Sequence, residues 1–367
     1  MSLHNNYRPV NLDRIIGHEA HVTRMKGIVA SGKHPNAIAL FGPTSAGKTT
    51  LVRAFAADIN DLKTITGSRD YMEMNGSSEK SIDDIRQVQQ LAKFKPQNKV
   101  RIICIDEAHG LLSNPQAANA LLKVLETPPK NTMFAIASME ASKFQSSQVG
   151  RAILNRCNQF VLEPHTPEDL LKQAKRIAKG ENMKYVLDEE GKILKAVVKN
   201  AQEMRSLANL MESLQQYHEG LTKKPKLLDK EHIATVLKST ESSDDKLAVQ
   251  VMLGVYGCQF KVVQRSLLDI QDGFQFVKKL MWLNQYAMNT TVLDGARHPK
   301  VWGSAGGKEV LAATKGKITM GMMAAVNASM VETVGILQQF ATSPEELLSA
   351  RLYRLIKELD PMRPKEK

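Results

Sequence analysis

A chain of 367 residues is long enough for two or three domains with a sizeable core, and its 43% hydrophobic and 24% charged residues exclude an intrinsically disordered protein. Aromatics make up only 5% beside 17 methionines, a balance that suits helices better than a β-sandwich. The 50 lysines and arginines against 38 acids leave a formal +12 that favours a polyanionic partner, and three distant cysteines without a Cys-x-x-Cys pair argue against a zinc ribbon or a disulfide scaffold.

The opening residues are polar, without the apolar core of a signal peptide, and no run approaches ~18 apolar residues. A cytoplasmic protein with no membrane contact is therefore expected. Residues 37–41 (Ala-Ile-Ala-Leu-Phe) read as a buried strand and 48–59 as the helix after it. Residues 82–92 are amphipathic, 99–105 form a second strand, 116–125 another helix, 132–138 a third strand and 159–162 a short fourth. Strands alternating with helices predict an α/β unit built on a parallel sheet.

After Pro164 the β character stops. Thr166-Pro167-Glu168-Asp169 is a helix start, with Thr as N-cap, Pro in the first turn and acids facing the positive helix end. Helical patterns follow near 189–200, 203–217 and 229–238, with Lys223-Lys224-Pro225-Lys226 as a loop and 239–245 as the best linker candidate. Residues 246–288 and 318–359 read as long helices, the last opening on a capping box at Ser343-Pro344-Glu345-Glu346. The Gly- and Lys-rich stretch 294–317 reads as a loop and 361–367 as a frayed tail. Domains are expected at 1–165, 166–240 and 241–360. The net charge divides as +6 over 1–164, +1 over 165–244 and +5 over 245–367, so the middle is nearly neutral between basic flanks.

Gly42-Pro43-Thr44-Ser45-Ala46-Gly47-Lys48-Thr49 fits G-x-x-x-x-G-K-[ST] at every fixed position, between a predicted strand and helix. Glycines let backbone N–H groups wrap a phosphate, and the helix start adds partial positive charge. Lys48 is expected to reach the β- and γ-phosphates and Thr49 to ligate Mg2+. Asp106-Glu107 closes the second strand after four apolar residues, where the second metal-site acid belongs. Asp106 then holds the metal and Glu107 polarises the attacking water as general base. With both acids present, ATP should be hydrolysed rather than merely bound.

Asp106-Glu107-Ala108-His109 also spells a helicase box, but such helicases need a second α/β domain, and residues 165–367 read as helical. A broader match covers residues 7–215. It resembles the AAA+ ATPase subunits of sliding-clamp loaders, meaning replication factor C small subunits, bacterial gamma/tau and phage-type loaders. Tyr7-Arg8-Pro9 followed by Ile15-Ile16-Gly17-His18-Glu19 is similar to the family's opening motif at the adenine pocket, with His18 where Gln is usual. Glu73-Met74-Asn75-Gly76 and Ser81-Ile82-Asp83-Asp84-Ile85-Arg86 resemble the second strand and the helix behind it. Asn119-Ala120-Leu121-Leu122-Lys123-Val124-Leu125-Glu126-Thr127-Pro128-Pro129 is similar to the segment after the acidic pair, Asn155-Arg156-Cys157 looks like Ser-Arg-Cys, and Met204-Arg205-Ser206-Leu207 stands at the helical-lid sensor.

The resemblance implies an α/β AAA+ domain, a small helical lid and an all-α collar. It implies ATP and Mg2+ as ligands, with Tyr7, Arg8, Pro9, Ile16, residues 42–49 and Thr50 around the nucleotide, and no zinc. It makes Arg156 a finger acting in a neighbour's site, Arg205 the γ-phosphate sensor, Asn75 the restraint on Glu107 and Ser138 the first sensor, unless that place falls to Met139. It further implies other loader subunits in a ring, a sliding clamp and primer–template DNA at replication forks. Lys80 and Arg86 are the DNA candidates, and Leu91 and Phe94 the clamp candidates. A branch-migration helicase and a nonhydrolysing scaffold subunit are the alternatives. The first needs a winged-helix domain, and the second a decayed phosphate loop or Glu107.

Overall fold

A computed structural model describes residues 2–362 apart from 79–81, 202, 241–242, 268–269, 271–275, 278, 282, 285–317 and 340–343. Lys80, the loop expected at 294–317, Ser343 and nearly all of the expected tail lie outside the described residues. The chain separates into two compact units, Met1–Gln215 and Gln216–Lys367. The three-domain division expected above is finer than this.

The first unit is built on five parallel strands: β1 (Ala37–Phe41), β2 (Tyr71–Asn75), β3 (Arg101–Asp106), β4 (Thr132–Ser138) and β5 (Asn158–Val161), in the order β2-β3-β4-β1-β5. β1 and β4 are buried at every position, as central parallel strands covered on both faces must be. Alternate residues feed two cores. Ile102 and Cys104 pack with Leu51 and Phe55 on one face, while Ile103 and Ile105 pack with Ile85, Leu121 and Ile153 on the other.

The helices of this unit are α1 (Leu3–Asn6), α2 (Glu19–Ser31), α3 (Lys48–Ile59), α4 (Ile82–Ala92), α5 (Pro115–Glu126), α6 (Ala141–Ser146), α7 (Gln148–Leu154), α8 (Pro167–Gly180), α9 (Lys192–Asn200) and the start of α10 (Met204–Gly220). α8 opens on the expected capping box, Thr166 Oγ1 accepting from Asp169 N at 3.2 Å and Asp169 Oδ2 from Thr166 N at 3.1 Å.

The strand register positions the site. Asn75 pairs with Asp106 and Phe41 with Ser138, so the carboxyl ends of β2, β3, β4 and β1 stand side by side. Gly42 leaves β1 with φ +154°, and a Cβ there would sit 2.5 Å from the Leu162 carbonyl oxygen. That close approach requires glycine.

In the second unit two expectations change. Of the stretch expected as a linker, 239–240 belong to α11 (Lys230–Thr240) and 243–245 to α12 (Ser243–Tyr256), while 241–242 lie outside the described residues. Ser and Asp are common at helix ends, and the composition cue cannot separate a helix junction from a linker. The helix expected over 246–288 is interrupted: α12 stops before Gly257, Cys258 takes φ +52°, and α13 (Phe260–Leu267) starts anew. Helices Met320–Gln339 and Pro344–Leu359 complete a methionine-bearing core with Met252, Met322, Met323 and Met330.

Candidate functional site

The phosphate loop joins β1 to α3. Gly47 sits at the helix start with φ +88°, a left-handed conformation that glycine adopts without a Cβ clash. Lys48 is folded into the loop, its Nζ donating to the carbonyls of Gly42 at 2.9 Å and Pro43 at 2.8 Å. Burial lowers the Lys48 pKa, and the neighbouring Asp106 and Glu107 charges oppose that shift. Thr49 Oγ1 donates to Asp106 Oδ2 at 2.8 Å. A hydroxyl and a carboxylate in contact at a phosphate loop are the donors a hard cation such as Mg2+ takes, so the residues present fit that ion. Asp106 Oδ1 accepts the Glu107 N–H at 2.9 Å, and Glu107 itself has φ +51°. A non-glycine residue held in the left-handed region is commonest where function requires it.

These groups face one pocket. Its walls include Tyr7, Arg8, Pro9, Ile15 and Ile16 from the N-terminal segment, Thr44, Ser45 and residues 47–50 from the loop and α3, and Asp106, Glu107, Ser138 and Met139 from the strand ends. Met204, Arg205 and Ala208 on the first turns of α10 close it. Gly42, Pro43 and Ala46 shape the loop without forming its walls. Arg8 Nε donates to Thr50 Oγ1 at 3.1 Å; burial chiefly, and the charges of Arg53 and Arg205, lower its pKa. His4, on the same wall, is lowered by burial and then by Arg205 and Arg8. The pocket thus gathers Lys48, Arg8 and Arg205, a field suited to a polyanion. Tyr7 is fixed by its hydroxyl donating to Glu181 Oε1 at 2.8 Å, and its pKa is raised to about 12, by burial first and then by Glu181.

Several wall residues carry no motif. His165 lies between β5 and α8, its ring 4.8 Å from that of His18, with a buried Nδ1 that has no hydrogen-bond partner. Burial first, then His18, pushes the His165 pKa down to about 4. His18 Nε2 lies 2.9 Å from the Ala46 carbonyl oxygen, so that nitrogen donates and ties the opening motif to the phosphate loop. Gln173 reaches the Tyr7 carbonyl at 3.4 Å. Only the departure from Gln at residue 18 was visible in the sequence; His165 and Gln173 come from segments with no local signal.

Around the acidic pair, the contact to Glu107 comes from Ser77 rather than Asn75. Ser77 Oγ lies 3.4 Å from Glu107 Oε2 and 3.3 Å from its carbonyl, while Asn75 Oδ1 accepts from the N–H groups of Ser77 at 2.8 Å and Ser78 at 3.4 Å. Asn75 shapes the turn that carries Ser77. Ser138 is fully buried, accepts from Glu140 N at 3.0 Å and meets His109 Nδ1 at 3.2 Å, while His109 Nε2 is 3.4 Å from Glu140 Oε1. Met139 places its sulfur 2.8 Å from Thr44 Oγ1.

Arg156 stands away from this pocket, following α7, with Nη2 donating to Glu126 Oε1 at 2.6 Å and Nη1 to the Ala152 carbonyl at 2.7 Å. Arg86 is exposed and paired with Asp83 at 3.1 Å. Leu91 and Phe94 are exposed at the end of α4, Phe94 by 67%, while their carbonyls accept from Arg101. Among the described residues no cluster of His, Cys, Asp and Glu could hold a metal ion by itself, and no helix is long and apolar enough to cross a membrane.

This sheet with its phosphate loop and strand-end acids is the α/β fold of a P-loop AAA+ ATPase, followed by helical segments. Solved structures of the Thermotoga maritima RuvB Holliday junction branch migration motor share it at a TM-score of 0.53 and 16% identity, over 67% of this chain and 79% of that one. At that identity the likeness shows the fold alone. Residues 17–166 match the family model described as DNA polymerase III, delta subunit. The chain is 31% identical over 215 residues to the replication factor C small subunit of Picrophilus torridus, covering 57% of this chain and 62% of that protein. It is 29% identical to replication factor C subunit 4 of Saccharomyces cerevisiae, over 67% of this chain and 74% of that one. It is also 28% identical to DNA polymerase III subunit tau of Bacillus subtilis, over 52% of this chain and 35% of that one. The chain is therefore similar to the AAA+ clamp-loader subunits that its motifs resemble, and it spans less than two thirds of the first of these relatives.

Proposed function

We propose that this chain is an ATPase subunit of a DNA sliding-clamp loader, using ATP to open a ring clamp and leave it on primed DNA. The observation that carries the ATPase reading is the contact of Thr49 with Asp106 at 2.8 Å, beside Lys48 and Glu107 in a pocket lined by three cations. The relatives carry the loader reading.

Lys48 exchanges its loop carbonyls for the β- and γ-phosphates, and Thr49 and Asp106 hold Mg2+. The bound ion supplies neutralisation of phosphate charge. Glu107 takes a proton from the attacking water once the Ser77 contact is released. Arg205 senses the γ-phosphate from the lid, and Arg156 enters a neighbouring subunit's site, where such a finger is worth about 10³–10⁵ in rate. Ser138, at the end of β4, is the first sensor. The segment 166–240 acts as lid and 241–360 as collar in a ring of loader subunits, a pentamer in this reading, working in the cytoplasm at replication forks. DNA is held by phosphates, through Lys80 and Arg86, and the clamp by Leu91 and Phe94.

The test is ATP turnover by the assembled complex with and without primed DNA and the cognate clamp. Stimulation by the two together is expected. Turnover indifferent to both overturns the loader reading, and absence of turnover overturns the ATPase reading as well.

A further inference from the structure

Glu126 breaks a local rule. It is the last residue of α5, where the helix end already carries partial negative charge and a cation is the favoured neighbour. An acid in that position needs compensation, and here it is met by the Arg156 guanidinium at 2.6 Å. Violations of local preference mark places where a tertiary requirement wins.

The two partners are held on rigid supports. Val124 and Leu125 of α5 and Ile153 and Leu154 of α7 are buried in the same core, so the last turns of both helices are fixed relative to each other. The turn carrying Arg156 is closed by backbone bonds from Arg156 N to the Ile153 carbonyl and from Cys157 N to the Leu154 carbonyl, each 3.0 Å. The Cys157 thiol donates to the Ile153 carbonyl at 3.2 Å, and burial pushes its pKa up to about 12, so it anchors the turn rather than reacts. A guanidinium has five N–H donors. One is used on Ala152 and one on Glu126. The remaining donors are uncommitted in these bonds, on a side chain about one third exposed.

We infer that Glu126 is a positioning residue for Arg156, fixing Nη2 while the Ala152 carbonyl fixes Nη1, so that the other donors of the guanidinium are aimed at the phosphate of a neighbouring subunit. The inference rests on the reading of Arg156 as a finger acting in trans. An isolated exposed ion pair adds little to stability, so the pair can be read as orientation rather than as a structural brace. A flexible arginine otherwise searches many rotamers, and a misplacement of about 1 Å at a reacting group can cost as much as ~100-fold in rate.

The experiment compares Arg156→Ala, Glu126→Ala, Glu126→Gln and the Arg156→Ala/Glu126→Ala double variant in the complex that the full-length chain forms, measuring ATP affinity and turnover separately. Glu126→Ala is expected to lower kcat about tenfold with ATP affinity changed less than about twofold. Glu126→Gln, which keeps the oxygen that accepts from Nη2, should stay within about threefold of the unaltered chain. In the Arg156→Ala background the Glu126 change should add nothing, because coupled residues are not additive. Normal turnover with Arg156→Ala overturns the finger reading and the inference with it. A defective Arg156→Ala beside a normal or faster Glu126→Ala leaves the finger standing and overturns the inference alone, as does a loss that adds fully in the double variant.

Discussion

At the scale of single side chains, Lys48 and Glu107 do separable work and their variants should separate it. Lys48→Ala removes the one loop cation that touches both the Gly42 and Pro43 carbonyls, and should abolish nucleotide binding in a fluorescent-ATP titration. Glu107→Gln keeps the shape but not the base; ATP should bind normally while turnover falls about 10²–10⁴-fold. The histidines at the pocket give a pH dependence whose sign is fixed. His165 has its pKa lowered from 6.5 to about 4 by burial, and His18 and His4 are lowered too. As pH falls below 6.5 the unfolded chain takes up protons that the folded chain refuses, so stability is lost between about pH 6.5 and 4. His165→Phe should flatten that slope in a thermal-melting series, by an amount on the order of 1–3 kcal/mol at pH 4. An unchanged slope would show that His165 is not neutral in the fold.

At the scale of elements, the sheet edge depends on one buried acid. Asp70 is fully enclosed before β2 and accepts from the N–H groups of Gln97 at 3.0 Å and Asn98 at 2.6 Å, with Arg101 at 3.5 Å. Arg101 in turn donates to carbonyls at the end of α4, Phe94 at 2.7 Å among them. One network therefore holds the loop before β3, the edge strand β2 and the helix that displays Leu91 and Phe94. Asp70→Ala leaves the buried Arg101 without its carboxylate and the Gln97 and Asn98 N–H groups without their acceptor, and should cost about 3 kcal/mol in denaturant unfolding, against under about 0.5 kcal/mol for Phe94→Ala. On the loader reading, Phe94→Ala also keeps basal ATP turnover and loses the stimulation by clamp; stimulation retained in full would remove Phe94 from the clamp surface.

At the scale of the whole molecule, the chemistry groups of the first unit converge because parallel strands end together. β1 delivers the phosphate loop, β3 the acids, β4 Ser138, and α8 to α10 bring Arg205 across the opening. The second unit is a helical core rich in methionine, and its +5 over residues 245–367 has no assigned partner. Most of the first unit was legible in the sequence, since buried parallel strands are short apolar runs and the helices between them are amphipathic. β2 was not legible by pattern. Tyr71-Met72-Glu73-Met74-Asn75 is an edge strand with one face partly open, and only its motif marked it. The helix ends at 239–240 and 243–245 and the break at 257–259 were not legible, because Ser-Asp clusters and single glycines serve helix ends and linkers alike.

By itself, then, the sequence determined the phosphate loop, the strand-end acids and the order of the α/β elements, because each is a local pattern with a local physical cause. Only the tertiary structure decided that Ser77 rather than Asn75 touches Glu107, that His165 and Gln173 join the pocket, and that Glu126 grips Arg156. Those contacts join residues as far as 166 apart, Gln173 with Tyr7 the widest. No periodicity or spacing carries such information; it comes from which helix ends and strand ends the packed core brings together.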